Sequence, residues 1–370
     1  PGMPLATPEI QTAIEQGVPV VGDVQIFADY AQAPVIAITG SNAKSTVTTL
    51  VGEMAKDAGV NVAVGGNLGT PALDLISDTV ELYVMELSSF QLETTPNLDA
   101  KVATILNLSP DHLDRYDSYE SYITAKHNVY NGCEVAIINR DDPQTKPRIK
   151  VPAIVSFGLS EAGDNAFGIA EHNDCAYLAI DHQALLDTKE LKIKGTHNRG
   201  NALSALALGS AAGLSIDSML TTLQDFPGLE HRCQWVGRHH GIDFFNDSKG
   251  TNVGATVAAL DGLATDVTGS IILMAGGEAK GADFSFMANA VSKSVKTLVA
   301  YGKDRQLISD ELGNVSKVIL AGSFEDAFLK ANQSAIEGDA ILLSPACASF
   351  DMFKSFEHRG EAFVKLVEGL

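Results

Sequence analysis

Val35-Ile-Ala-Ile-Thr-Gly-Ser-Asn-Ala-Lys-Ser-Thr46 is the stretch from which the rest of the chain can be read. Val35 to Ile38 are four apolar residues in a row, the pattern of a buried strand. Gly40-Ser41-Asn42-Ala43 is a tight polar turn. Lys44-Ser45-Thr46 then open a helix whose apolar residues Val47, Leu50, Val51 and Met54 fall at i, i+3, i+4 and i+7. A strand, a turn and a helix N-terminus in this order make an anion cradle, because backbone N–H groups and the positive end of the helix dipole face one point. Lys44 adds a charge there, and Ser45 a hydroxyl suited to Mg²⁺. The match to G-x-x-x-x-G-K-[ST] is incomplete. Ile38 and Ala43 stand at its two glycine positions, and Gly40 is the turn's one glycine. An ordinary strand-to-helix turn that contains Lys and Ser satisfies the same letters.

Outward from this turn the pattern repeats. Val62-Ala-Val64 ends in Gly65-Gly-Asn-Leu-Gly69, where glycines suit either a close backbone approach to a ligand or a plain loop. Leu82-Tyr-Val-Met85 ends at Glu86. A lone Glu is usually a solvated surface residue. At the carboxyl end of an apolar strand it lies near the ligand crevice of an α/β sheet and can serve as a Mg²⁺ ligand beside a triphosphate. The apolar run 102–106 leads into Asn107-Leu-Ser-Pro-Asp-His-Leu-Asp-Arg115, a polar cluster that packing does not explain. His112 in that cluster is a candidate for a second metal site. Lys126 follows on the amphipathic stretch 121–130, and Val135-Ala-Ile-Ile138 ends at Asn139-Arg-Asp-Asp142. The alternation through about residue 145 predicts a doubly wound, largely parallel sheet. Residues 150–195 read as a small antiparallel addition. Asn198 and Asn201 precede an Ala/Leu-rich helix at 202–213 and sit where caps or ligand contacts occur.

Residues 227–232 read as a linker into a second, Rossmann-like α/β domain, with strands near 241–245, 270–274, 297–301, 318–320 and 340–343. Three strand ends are polar: Asn246-Asp-Ser-Lys-Gly-Thr-Asn252, Gly276-Gly-Glu-Ala-Lys280 and Ser344-Pro-Ala-Cys-Ala-Ser349. They should converge on one sheet edge, and an interdomain site results if that edge faces the first domain.

A chain of 370 residues accommodates about two domains of ordinary size. With 45% hydrophobic and 19% charged residues it can bury large cores. A net charge of −20 argues against a nucleic-acid binder. No run of about 18 apolar residues is present to span a membrane. The four cysteines include no C-x-x-C pair, so neither a zinc site nor a disulfide framework is indicated. No signal peptide is read, and a reduced, cytoplasmic protein is the expectation. Val18-Pro-Val-Val21 looks like a last strand, confined by Pro19 to a strand start or sheet edge. The chain is expected to begin near the end of a domain, the remainder of which is absent from the sequence.

Taken together, the motifs resemble the Mur ligases of bacterial cell-wall synthesis, and within them most closely the branch that adds D-glutamate. The resemblance runs along the whole chain. It rests on Thr39 to Thr46, Gly65 to Gly69, Glu86-Leu-Ser-Ser-Phe-Gln91, Asp111 to Arg115, His197-Asn-Arg-Gly-Asn201, His231-Arg232, Asn246 to Asn252 and Ser344 to Ser349. Three sites depart from the family's habit: Ala43 and Ala279 where glycine is usual, and Gly250 where alanine is usual. A Cβ at 43 restricts φ just before Lys44, so a loop that needs positive φ there would be strained or shifted, with a loss of ATP affinity.

What the resemblance implies is an α/β architecture in three parts. Residues 1–22 would be the remnant of an N-terminal UDP-sugar-binding domain that is largely absent. Residues 23–228 would be a central ATP-binding domain of the P-loop type, and 229–370 the C-terminal Rossmann-like domain. The implied reaction joins D-glutamate to UDP-N-acetylmuramoyl-L-alanine through an acyl phosphate made from ATP. By the same resemblance Gly40, Ser41, Asn42, Ala43, Lys44, Ser45 and Thr46 cradle ATP, with Asn201, Arg232, Asp247 and Lys249. Ser45 and Glu86 hold one Mg²⁺, and His112 and Lys126 a second. Lys126 is carbamylated by CO₂, which turns a cation into a metal-binding anion. Lys44, His112 and Lys126 are the catalytic set. Asn67 contacts the substrate or the γ-phosphate, and Thr251, Lys280, Ser349, Phe350 and Phe356 frame D-glutamate. Two ligand-bearing domains imply closure before chemistry. A monomer is the default expectation, with small molecules as its partners.

Three other readings compete with this one. A folylpolyglutamate synthase shares the acyl-phosphate logic. A nucleotide-binding module without ligase activity suits the short N-terminal part and Ala43. A P-loop GTPase switch lacks its Asn-Lys-x-Asp motif here.

Overall fold

The computed structural model describes residues 3–109, 115–172, 175–264 and 266–370. It divides into two compact units, Pro1–Leu191 with Arg199–Phe226, and Lys192–Asn198 with Pro227–Leu370.

The first unit opens with helices α1 (Pro8–Glu15) and α2 (Asp23–Tyr30). No strand forms at 18–21, contrary to expectation. Val18 and Val21 are about half exposed, Pro19 offers no donor for a ladder, and no strand pairs there. Helix α2 instead packs Val24 and Phe27 into the core, with the Phe27 ring edge-on to Tyr83 at 5.0 Å.

Strand β1 (Val35–Thr39) feeds α3 (Lys44–Asp57), then β2 (Val62–Gly66), β3 (Leu82–Glu86), the short α4 (Ser89–Leu92) and β4 (Val102–Ile105). Helix α5 (Tyr119–His127) leads to β5 (Val135–Asn139), β6 (Ala153–Phe157), β7 (Ala166–His172), β8 (Cys175–Ile180) and β9 (Gln183–Asp187). Among the described residues these form one nine-stranded sheet in the order β2-β3-β1-β4-β5-β6-β7-β8-β9. Strand β1 is buried along its length, as its unbroken apolar run demands. It pairs in parallel with β3 on one side, Ile38 opposite Glu86, and with β4 on the other, Thr39 opposite Ile105. Its carboxyl end is thus a topological switch point, where open α/β sheets bind ligands.

The expected antiparallel addition is only partly so. Strands β6 and β7 continue the parallel sheet, and only β7-β8-β9 are antiparallel. They extend the main sheet rather than forming a separate one. Helix α6 (Thr196–Ala212) starts earlier than expected and takes in the whole His197–Asn201 motif; α7 (Ile216–Asp225) follows.

The second unit carries β10 (Gln234–His239), β11 (Ile242–Asn246), α8 (Val253–Leu263), β12 (Ile271–Gly276), α9 (Ala288–Ser294), β13 (Val295–Tyr301), α10 (Arg305–Leu312), β14 (Lys317–Leu320), α11 (Phe324–Ser334), β15 (Ala340–Leu343) and α12 (Phe356–Glu368). The sheet order is β10-β11-β15-β12-β13-β14. Strand β10, absent from the sequence reading, is an antiparallel edge strand with no fully buried residue; the other pairs are parallel. Because β15 lies between β11 and β12, the loops after these three strands emerge side by side. Apolar side chains fill both faces of this sheet. No helix among the described residues is long and apolar enough to cross a membrane.

Candidate active site

In the first unit, the turn after β1 is stitched down on both sides. Ser41 N donates to Asn107 O at 2.9 Å, and Asn42 N to Asn107 Oδ1 at 2.8 Å. The Asn107 amide returns a bond to Asn42 O at 3.2 Å. Ser41 Oγ lies 2.8 Å from the Tyr122 hydroxyl and accepts from Ser109 N at 3.0 Å. Ser41 and Asn42 therefore shape the cradle, with their N–H groups turned to the segment after β4. The N–H groups that open α3 have no acceptor within the helix and give the cradle its polarity.

Ala43 is the N-cap of α3, with φ 65° and ψ −2°. The position demands the left-handed conformation, and an L-residue there costs about 1–2 kcal/mol. The departure seen in the sequence is a strained residue in the fold.

Lys44 Nζ donates to Gly40 O at 2.9 Å and to Ser41 O at 3.0 Å. Lys126, 2% exposed on α5, reaches the same Gly40 O at 2.9 Å and Thr39 Oγ1 at 3.3 Å. Its Nζ also stands 4.9 Å from the centre of the Tyr122 ring, one helical turn back on the same face. A buried ammonium must be matched by acceptors or π-density, and these groups supply both.

Glu86 ends β3 beside this turn and is 2% exposed. Asn67 Nδ2 donates to Glu86 Oε1 at 2.7 Å, and Asn67 N to Glu86 O at 2.8 Å. This close approach needs glycine at 66, which has φ 99°; a Cβ there would stand 2.5 Å from Glu86 O. Glu86 Oε2 is buried with no hydrogen-bond partner among the described residues. A carboxylate oxygen left bare inside a protein is costly, and a cation completes it. The donor set, a bare carboxylate oxygen with Ser45 at the start of α3, suits Mg²⁺. Among the described residues no three His, Cys, Asp or Glu side chains group to hold a metal. His112 lies outside the described residues.

In the second unit, Asp247 follows β11. Its Oδ1 accepts from Cys233 N at 3.1 Å and its Oδ2 from Ser344 Oγ at 2.6 Å. Burial pushes its carboxyl up to about 7, against the opposing pull of Ser344, the Cys233 N–H, Arg232 and Arg359. Arg232 is exposed. Lys249 Nζ stands 3.7 Å over the Phe356 ring, so a residue expected at ATP and one expected at D-glutamate touch. Burial, and then Arg232, lowers the Lys249 ammonium below its ordinary value, while Glu357 opposes this.

Glu278 bridges to Ala348 in antiparallel fashion. That bridge brings Lys280 to the loop of Ser349 and Phe350, and Lys280 Nζ lies 5.1 Å from the Phe350 ring. Phe350 is 64% exposed, whereas Ser349 is buried. Thr251 N is tied to Lys249 O at 2.8 Å. Asn201 lies in the second turn of α6, in the first unit.

Sequence reasoning passed over the groups that hold these loops. Arg359 is fully buried and donates to Ser248 Oγ and Ser248 O at 2.9 Å each, and to Cys347 O at 3.2 Å. One guanidinium therefore ties the loop after β11 to the loop after β15. The available signal was an arginine in the apolar stripe of α12, at i+3 from Phe356 and i−4 from Phe363. Tyr122 was legible as the i−4 neighbour of Lys126. Asn107 carried no signal beyond following a strand.

Residues 38–209 match the Mur ligase middle domain, and residues 231–347 the Mur ligase glutamate ligase domain. The chain is 52% identical over 372 residues to UDP-N-acetylmuramoylalanine–D-glutamate ligase of Pseudomonas aeruginosa, a match that covers 100% of this chain and 83% of that protein. It is 50% identical over 375 residues to the Acinetobacter baylyi protein of the same name, covering 100% and 84%. Among solved structures it resembles UDP-N-acetylmuramate-alanine ligase MurC of Thermotoga maritima with a TM-score of 0.68 at 20% identity, covering 100% of this chain and 84% of that one. MurF ligase of Thermotoga maritima in complex with ADP gives 0.66 at 16% identity, covering 94% and 82%. Likeness at such identities speaks for the fold alone. Identity of one residue in two along the whole chain speaks for descent, and the chain belongs to the Mur ligase family.

Proposed function

We propose that the chain joins D-glutamate to UDP-N-acetylmuramoyl-L-alanine at the expense of ATP, through an acyl phosphate, in the synthesis of peptidoglycan precursors. The observation that carries this reading is the pair of lysines on one loop carbonyl, with the bare Glu86 oxygen beside it. A phosphate cradle alone suits any nucleotide hydrolase. A second, buried lysine against the cradle suits a phosphoryl transfer to a carboxylate, because as a carbamate it would hold a further metal ion where charge must be neutralised on both reactants.

In this mechanism the alanyl carboxylate attacks the γ-phosphorus of ATP, and ADP leaves. The amine of D-glutamate then adds to the carbonyl carbon of the acyl phosphate, a proton is lost from nitrogen, and inorganic phosphate departs from the tetrahedral centre. The residues chiefly align and neutralise. Lys44 moves from the loop carbonyls to the β/γ-phosphate oxygens. Asn67 keeps Glu86 oriented and its own amide near the transferred group. Ser45 and Glu86 would hold one magnesium ion, and His112 with a carbamylated Lys126 would hold a second. Bound there, the ions supply neutralisation of the phosphate charge. Gly40 to Thr46 receive the phosphates, while Asn201, Arg232, Asp247 and Lys249 contact the rest of the nucleotide. Lys280, Thr251 and Ser349 meet the D-glutamate carboxylates by charge and hydroxyl donation, with Phe350 and Phe356 as walls. The protein acts as a cytoplasmic monomer, with a P-loop-type central domain and a Rossmann-like C-terminal domain.

The test is phosphate release from ATP with UDP-N-acetylmuramoyl-L-alanine and, separately, D-glutamate, L-glutamate or diaminopimelate. Release that requires D-glutamate is expected. Release seen only with L-glutamate and a folate would assign the chain to folate chemistry instead.

A further inference from the structure

Asp247 and Ser344 follow paired residues of adjacent parallel strands, Asn246 on β11 and Leu343 on β15, so the sheet register itself sets them side by side. Asp247 N is fixed to Leu343 O at 2.7 Å. Ser344 Oγ is 2.6 Å from Asp247 Oδ2 and 2.9 Å from Thr256 Oγ1 on α8. Ser344 and Thr256 are wholly buried, and Asp247 nearly so. A hydroxyl carries a single proton. An ionised carboxylate only accepts, so Ser344 spends its proton on Asp247. It then has none for Thr256 Oγ1, whose own proton is left for Ser344 Oγ or for Ser344 O at 3.4 Å. The direction of this short relay therefore depends on the charge of Asp247. Gly250 makes the arrangement possible. A Cβ at 250 would stand 2.5 Å from Asp247 Oδ2 and 2.7 Å from Ser344 Oγ.

We propose that Ser344, backed by Thr256, is a positioning residue for nucleotide binding, which holds the Asp247 carboxylate charged and turned to accept from donors on the nucleoside. The proposal rests on the reading of Asp247 as a nucleotide contact. The charged groups that bear on Asp247 are Arg232 from the preceding turn and Arg359 from α12. Cys233 is its buried titratable neighbour, with a thiol raised above its ordinary value by burial. Both arginines favour the carboxylate, and the serine bond ranks ahead of them among the groups that oppose its desolvation. Without that bond the carboxylate would take up its proton at higher pH, and the nucleoside would lose its acceptor under neutral conditions.

The experiment measures KM for ATP and for D-glutamate between pH 6 and 9, by phosphate release, in the parent chain, Ser344→Ala, Thr256→Val and Asp247→Asn. In the parent, KM for ATP should rise as pH falls through about 7. In Ser344→Ala that inflection should move about one unit to the alkaline side, with a KM for ATP about fivefold higher at pH 7 and roughly tenfold higher at pH 6, near convergence at pH 9 and an unchanged KM for D-glutamate. Thr256→Val should shift the inflection the same way by less, and serves if Ser344→Ala folds poorly. Asp247→Asn should show a raised, pH-independent KM for ATP. If Asp247→Asn binds ATP like the parent, the nucleotide role of Asp247 fails, and the proposal with it. If Asp247→Asn is impaired while Ser344→Ala and Thr256→Val titrate like the parent, the role of Ser344 alone is overturned.

Discussion

Lys44 and Lys126 share an acceptor: each Nζ lies 2.9 Å from the carbonyl oxygen of Gly40. Two ammonium groups on one oxygen repel each other, and the carbonyl is what keeps them together. An incoming triphosphate offers Lys44 a far stronger acceptor, so the pair is set to separate when nucleotide arrives. Lys44→Ala and Lys126→Ala should each abolish ligation, with kcat lower by about 10²–10³-fold. They should differ in rescue. Acetate or formate should restore part of the activity of Lys126→Ala, as a replacement for the lost carbamate, and none to Lys44→Ala. Normal turnover by Lys126→Ala would remove that lysine from the mechanism.

Ala43→Gly should stabilise the first unit. It relieves a left-handed alanine at φ 65°, less the entropy a glycine adds to the unfolded chain. A gain of about 0.5–1 kcal/mol in urea unfolding is expected, with KM for ATP unchanged or lower. A clear rise in KM would show that the loop has adapted around its alanine.

Asp247→Asn should trade function for stability. Unfolded, this carboxyl gives up its proton near 3.8; folded, it keeps it to about 7. Between these values the folded chain binds a proton that the unfolded chain has released, so the group's contribution to stability falls as pH rises from about 4 to 7. The asparagine carries no such penalty. Its advantage in thermal midpoint should be largest at pH 8, with an upper bound of roughly 4 kcal/mol, and should vanish near pH 4. Calorimetry at the two pH values checks this, and an equal difference at both would contradict it.

Arg359→Leu should loosen the second unit. It leaves Ser248 O and Cys347 O without their donor and removes the tie between two loops. A loss of about 2–4 kcal/mol is expected, together with a higher KM for D-glutamate, whose expected contacts Ser349 and Thr251 stand on those loops. An unchanged KM alongside the lost stability would confine Arg359 to folding.

The parallel core of each sheet was legible because strands buried on both faces must be apolar along most of their length, as residues 35–38 and Ala340–Leu343 are. Strand β10 was not, because an edge strand that reads Gln-Trp-Val-Gly-Arg-His buries none of its residues fully and exposes Trp235 and Arg238. Glu86, Asn67 and Lys126 were legible as polar residues at strand ends or by family likeness. The roles of the groups that fix the neighbouring loops were not. Asn107 acts through an amide that imitates a backbone pair, and Ser344 through a hydroxyl at a register position that only strand order reveals. Contacts across a sheet leave no local pattern in the sequence. Val18 to Val21 shows the converse error, in which apolar letters next to a proline found no strand to pair with.

The peptide plane that joins Gly40 to Ser41 is gripped on both of its edges. Its carbonyl faces two lysine ammoniums, and its N–H faces Asn107 O. A half-turn of that plane would aim an N–H at two cations and a carbonyl at a carbonyl. The loop is therefore held in one orientation before any nucleotide arrives. The entropy of ordering it is met during folding, and the binding energy of ATP remains available for drawing Lys44 onto the phosphates.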